Sequence, residues 1–150
     1  MIYAEIVHGS NGLTQQYDIR KKVFIEEQGV YESIERDEYD RDCSHVLVYE
    51  DDIAVATGRI IYVNNIPLIG RIAVLKEYRG KQYGDLVVRK LVDQCFRQGE
   101  KRVEVHAQLS VIKFYEGIGF VAYGDDYLES NILHRSMYIT QESIVTKCRQ

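Results

Sequence analysis

The stretch Glu77-Tyr78-Arg79-Gly80-Lys81-Gln82-Tyr83-Gly84 holds the residues of this chain best suited to chemistry on a phosphate. It joins an apolar strand pattern to an apolar helical pattern, and Arg79 and Lys81 bring positive charge to the junction. A helix that starts near Gln82 leaves its first backbone N–H groups outside its own ladder and aimed at the loop. A pyrophosphate placed there gains hydrogen bonds and a favourable dipole. The same residues also fit a surface turn with two solvated cations. A second stretch, Phe114-Tyr115-Glu116-Gly117-Ile118-Gly119-Phe120, sets an aromatic pair beside glycines and, taken alone, reads as packing.

Two elements must position the loop. Ile66 to Leu75 reads as a strand with Ile66, Leu68, Gly70, Ile72 and Val74 on one face, and Gly70 is a candidate bulge. After the loop, Tyr83, Val87, Leu91 and Cys95 form one helical row, with Val88, Val92 and Phe96 beside it. Upstream, residues 1–7 alternate like a strand, and Asn11 is a candidate cap for a helix from Leu13 to Gln28 that Gly29 stops. Residues 31–43 read as an irregular, solvated acidic surface able to attract a cationic amine. Ser44–Glu50 and Ala54–Val63 read as a hairpin turning at Asp51-Asp52, and Asn64-Asn65 marks the next turn. Downstream come a strand over Arg102–Gln108, a short helix over Ser110–Glu116 and strands near Phe120–Tyr127 and Leu133–Thr140. The order is mixed α/β, and the hairpins that interrupt it argue against a plain doubly wound parallel sheet.

A chain of 150 residues fits one domain, taken as 1–150. The net charge of −4 and the lack of a long basic run argue against nucleic acid as the main partner. Cys43, Cys95 and Cys148 are odd in number and widely spaced, which suggests neither a disulfide framework nor a metal site. A reducing cytoplasm fits such thiols. The first residues carry no basic n-region or long apolar run, so neither export nor membrane insertion is expected. The last hairpin and Gln141–Gln150 could support a homodimer.

The order of strand, Arg-Gly loop, long helix, strand, short helix with Phe-Tyr-Glu and then Gly-Phe, from Gly70 to Phe120, resembles the GNAT family of acetyl-CoA-dependent N-acetyltransferases. Arg20 to Val30, then Glu35, Asp37, Asp40 and His45, Ala56-Thr57-Gly58-Arg59, Ala107-Gln108, and Glu129, Ile132 and His134 look like its ElaA-like and YjcF-like branch. The resemblance implies a mixed, mostly antiparallel twisted sheet, splayed between its fourth and fifth strands and flanked by helices. It implies acetyl-CoA as co-substrate, no metal, and a small-molecule or peptide amine as acceptor. In that family Ile72, Ala73 and Val74 hold the pantetheine arm and polarise the acetyl carbonyl, a preorganised oxyanion donor. Arg79, Gly80, Lys81, Gln82, Tyr83 and Gly84 then cradle the pyrophosphate, and Gln108 makes an amide contact to coenzyme or substrate. Tyr115 becomes the general acid for the leaving thiolate. Gln82 stands where the family's central glycine is expected; a Gln at negative φ still presents its N–H, and weakened coenzyme binding is anticipated.

An amine must lose a proton before it attacks a thioester. Glu27, Asp37, His106 and His134 are the candidate bases, and each also has an ordinary structural reading. Two other functions are compatible with the sequence. One is an acyltransferase like the acyl-homoserine-lactone synthases, which resemble Arg20, Phe24, Glu35, Asp37, Asp40 and Arg59; the other is a CoA-binding module without transfer.

Overall fold

Pairs of residues in left-handed backbone close three of the turns. Asp51 and Asp52 (φ 50° and 69°), Asn64 and Asn65 (52° and 65°) and Ser130 and Asn131 (51° and 63°) share the geometry whose twist matches that of a hairpin's strands. Short polar side chains tolerate it best. In the computed structural model, which describes residues 1–146, these pairs link β2 (Ser44–Glu50) to β3 (Ile53–Val63), β3 to β4 (Ile66–Val74), and β6 (Val121–Glu129) to β7 (Ile132–Ile139). Cys148 and the end of the segment considered for a dimer contact lie outside the described residues.

The chain divides into two compact units: Met1–Ile61 with Ile69–Leu91, and Tyr62–Leu68 with the chain from Val92 on. In the first, the strand order is β1-β2-β3-β4, with β1 spanning Ile2–His8. β1 runs antiparallel to β2, Ile2 opposite Glu50 and His8 opposite Ser44, and β2 runs antiparallel to β3. The expected N-terminal helix arrives in two pieces. α1 (Thr14–Arg20) widens directly into a π-helical stretch, Lys21–Glu27, whose Gln28 N–H reaches the Val23 carbonyl at 3.2 Å. Gly29 (φ 74°) ends it as read from the sequence, and a single helical turn, α2 (Glu32–Glu35), follows. Asn11 does not cap this helix: it lies in a 3-10 turn, Gly9–Asn11, and Leu13 precedes α1 without a side-chain cap bond. Ile19 and Val23 pack with Leu47, Ala73 and Leu75 in one core.

α3 (Tyr83–Arg97) buries Tyr83, Val87, Val88, Leu91, Val92 and Cys95, the stripe its spacing predicts. Its seat on the sheet is Gly58, where a methyl group would stand 2.7 Å from Val87 Cγ1, 2.8 Å from Ile72 Cδ1 and 2.9 Å from Leu91 Cδ1.

In the second unit the order is β5-β7-β6, with β5 at Val103–Gln108 and α4 at Ile112–Ile118. α4 starts two residues later than expected, because Leu109–Val111 forms a 3-10 turn first. Val103, Val105, Ala107, Met137 and Ile139 line the buried side of the strands, and Tyr115, Ile118 and Phe120 are also buried. Gly119 (φ 125°) stops α4 under the Ser143 carbonyl, 2.2 Å from where a Cβ would sit, while Val145 N–H bonds the Ile118 carbonyl at 2.7 Å. No helix among the described residues is long and apolar enough to cross a membrane.

Candidate active site

Ile72, Ala73 and Val74 end β4, and a 3-10 turn at Lys76–Tyr78 delivers the chain to the loop. Gly80 takes φ 84° and Gln82 takes φ 66°, so the negative φ anticipated for Gln82 is wrong. The loop imposes on a glutamine the left-handed turn that a glycine adopts without strain. The first intrahelical bond of α3 runs from Leu86 N–H to the Gln82 carbonyl at 3.1 Å, so the amides of Tyr83 and Gly84 stand ahead of the ladder. The loop's cations are already engaged. Arg79 Nε donates to the Val74 carbonyl (3.0 Å), while Nη1 and Nη2 grip both oxygens of Glu27 (3.0 and 2.7 Å). Lys81 Nζ reaches Glu50 at 3.2 Å, and the Tyr83 hydroxyl donates to the same carboxylate. Of the candidate bases, Glu27 is therefore held charged: its bond from Arg79 lowers its pKa. Nothing in the sequence signals Glu50's part.

The acidic stretch is not a solvated surface. Glu35 and Asp40 are 2% and 1% exposed and face Arg20 and Arg59, themselves 1% and 4% exposed. Arg20 Nε donates to Glu35 at 2.7 Å and Nη1 to Asp40 at 2.7 Å. Arg59 Nη1 bridges Asp37 (2.6 Å) and Asp40 (2.8 Å), and Nη2 completes the fork on Asp37 at 2.8 Å. Arg71, a non-glycine at φ 50° inside β4, adds bonds to the Glu35 carbonyl (3.0 Å) and Asp37 (3.2 Å). Three cations thus meet three carboxylates. Burial would push Asp37 and Asp40 up, yet the arginines outweigh it and hold both below the usual carboxylate range. Asp37, a second candidate base, is therefore a poor proton acceptor. Beneath lie Cys43, pushed up to about 11 by burial, and His45, kept neutral by burial while its Nε2–H donates to the Asp40 carbonyl at 2.8 Å.

In the second unit, Tyr115 is 6% exposed and packs edge-on against Phe114 and Phe120, at ring separations of 5.0 and 5.4 Å. Burial raises its pKa, so it stays a phenol at neutral pH. Gln108 ends β5 directly opposite His134 of β7. The structure brings His106 and His134 onto one carboxylate: His106 Nδ1 lies 3.1 Å from Glu129 Oε1, and His134 Nε2 lies 3.9 Å from Glu129 Oε2. No three-residue cluster suited to a metal ion occurs among the described residues.

A family profile described as the Acetyltransferase (GNAT) domain matches residues 9–141. A Bacillus subtilis protein named as an acetyltransferase is 35% identical over 121 residues, 79% of this chain and 82% of its own length. YjcF of the same organism, named as an N-acetyltransferase, is 27% identical over 135 residues, 89% of this chain and 96% of its own. ElaA of Escherichia coli is 29% identical over 143 residues, 90% of this chain and 94% of its own. The ElaA crystal structure matches with a TM-score of 0.81, covering 91% of this chain and 99% of that one.

Proposed function

Because the chain belongs to the GNAT acetyltransferase family and is an acyltransferase of that fold, we propose that it transfers acetyl from acetyl-CoA directly to a primary amine of a small molecule or peptide. In this reading residues 1–150 work as one catalytic domain in the cytoplasm, where acetyl-CoA is available. The amine nitrogen attacks the thioester carbonyl, the C–S bond breaks, and Tyr115 gives its proton to the departing thiolate while a base takes one from the amine. The ends of the backbone around Ile72, Ala73 and Val74 polarise the carbonyl, and Gln108 contributes an amide contact. The observation that carries the reading is the loop Arg79–Gly84, with left-handed Gly80 and Gln82, opening directly into a fifteen-residue helix.

Calorimetry with acetyl-CoA on wild type, Arg79→Glu and Gly84→Asp tests the binding half; each variant should lose at least about tenfold in affinity. Tight binding untouched by both changes would sink the site. A thiol-release assay with spermidine, L-lysine amide, glucosamine and a tripeptide with a free N-terminus tests transfer. Tyr115→Phe should lower kcat about 100-fold with coenzyme affinity nearly intact, and unchanged turnover returns Tyr115 to packing. Binding without transfer to any of the four amines favours a CoA-binding module.

A further inference from the structure

Cross-strand register sorts the side chains of β5, β7 and β6 onto two faces. Glu104, His106 and Gln108 stand opposite Tyr138, Ser136 and His134, and Tyr123 and Tyr127 stand opposite Ser136 and His134. This face is polar and aromatic, and it is the one that carries Gln108. On it, we propose that His134 Nε2 is the atom that accepts the amine's proton and that Glu129 is the positioning residue that holds the histidine pair. The proposal rests on the reading of the protein as an amine acetyltransferase.

His134 Nδ1 lies 2.7 Å from the Ile132 carbonyl. A carbonyl only accepts, so the proton sits on Nδ1 and the lone pair on Nε2. That nitrogen faces Glu129 Oε2 at 3.9 Å. The other oxygen is fixed by His106 Nδ1 at 3.1 Å. Tyr127 stands between the histidines, edge-on to His106 with centroids 5.7 Å apart and stacked on His134 at 6.0 Å. His134 is 8% exposed and Glu129 44%, so the base is shielded from water while the carboxylate reaches solvent. A nucleophile's base oriented by a third group is the arrangement that acyl transfer requires.

The other charges near His134 are accounted for. Glu104 on β5 is taken by Arg102 (2.8 Å) and the Tyr123 hydroxyl (2.6 Å), and Arg102 stacks over Tyr138. Arg135 stands opposite Ala107 on the other face and pairs with Asp126 at 3.9 Å. The turn Leu109–Val111 packed beside β7 carries no ionisable side chain.

Without the carboxylate the histidine pair loses its shared anchor. Glu129→Gln should lower kcat about tenfold with acetyl-CoA affinity unchanged, and Glu129→Asp should recover part of that loss, while Glu104→Gln leaves kcat in place. His134→Gln should cut kcat about 100-fold, again with acetyl-CoA affinity unchanged. Long-range proton–nitrogen NMR on the full chain at pH 8 should show His134 as the Nδ1–H tautomer, independently of any amine. The opposite tautomer, or an unchanged kcat in His134→Gln or Glu129→Gln alongside measurable transfer, overturns the base alone. Failure of wild type to acetylate any of the four amines overturns the acetyltransferase reading and this base with it.

Discussion

At the scale of single residues, Gln82 is where local preference and loop geometry disagree. A non-glycine at φ 66° costs on the order of 1–2 kcal/mol in backbone strain, while a glycine there loses roughly 0.5–1 kcal/mol more chain entropy on folding. The two nearly cancel, so Gln82→Gly should leave the urea midpoint almost unchanged. Coenzyme binding should respond more, because removing the side chain opens the backbone to a pyrophosphate: acetyl-CoA affinity is expected to rise about threefold to tenfold by calorimetry. A fall in affinity would mean that the Gln82 side chain itself holds the coenzyme. The position of this loop was legible from its Arg-Gly spacing. Its charge state was not, because Glu27 and Glu50 come from distant segments and nothing in their own surroundings marks them as partners of Arg79 and Lys81.

Elements were legible where a local rule decides them. The pairs Asp51-Asp52 and Asn64-Asn65 announce their turns, and the Tyr83–Cys95 row announces the buried side of α3. The π-helical stretch Lys21–Glu27 escaped because its residues also suit an ordinary helix. Residues 31–43 misled for a different reason: the arginines that bury Glu35 and Asp40 lie on α1, β3 and β4, so only tertiary structure reveals them. Gly58 is a third case, a glycine chosen for the helix above it rather than for a turn. A methyl group there meets three branched side-chain ends closer than 3.0 Å. Overpacking costs about 1–3 kcal/mol and outweighs the roughly 0.4–1 kcal/mol an alanine gains through the unfolded chain. Gly58→Ala should therefore lower Tm by several degrees, and Val87→Ala added to it should recover part of the loss. A double variant less stable than the sum of the two single changes would show that α3 is not seated through this contact.

For the whole molecule, the buried ions turn a modest net charge of −4 into a specific dependence of stability on pH. Two windows follow from the signs. His45 is kept neutral by burial, its pKa lowered, so below its ordinary value of about 6.5 the unfolded chain binds a proton that the folded one refuses. Stability then declines as pH falls from there. Asp37 and Asp40 are lowered despite burial because Arg59 and Arg20 hold them charged, so their contribution is complete above about pH 4 and is lost as pH falls through their folded values. Thermal midpoints followed by circular dichroism from pH 8 to pH 3 should be level near neutrality, slope gently below about 6.5 and drop steeply below about 4. His45→Gln should remove the gentle slope and leave the steep one. Asp40→Asn should cost about 3–5 kcal/mol of stability and so lower the midpoint at every pH, since it strands part of the charge of Arg20 and Arg59 in the interior, and should blunt the steep limb. The steep limb should also survive added salt, because buried pairs are screened far less than surface ones. A wild-type curve that stays level down to pH 4.5 would show that His45 does not set the gentle slope, and a low-pH limb unchanged in Asp40→Asn would show that the carboxylate cluster does not govern the acid stability of the fold.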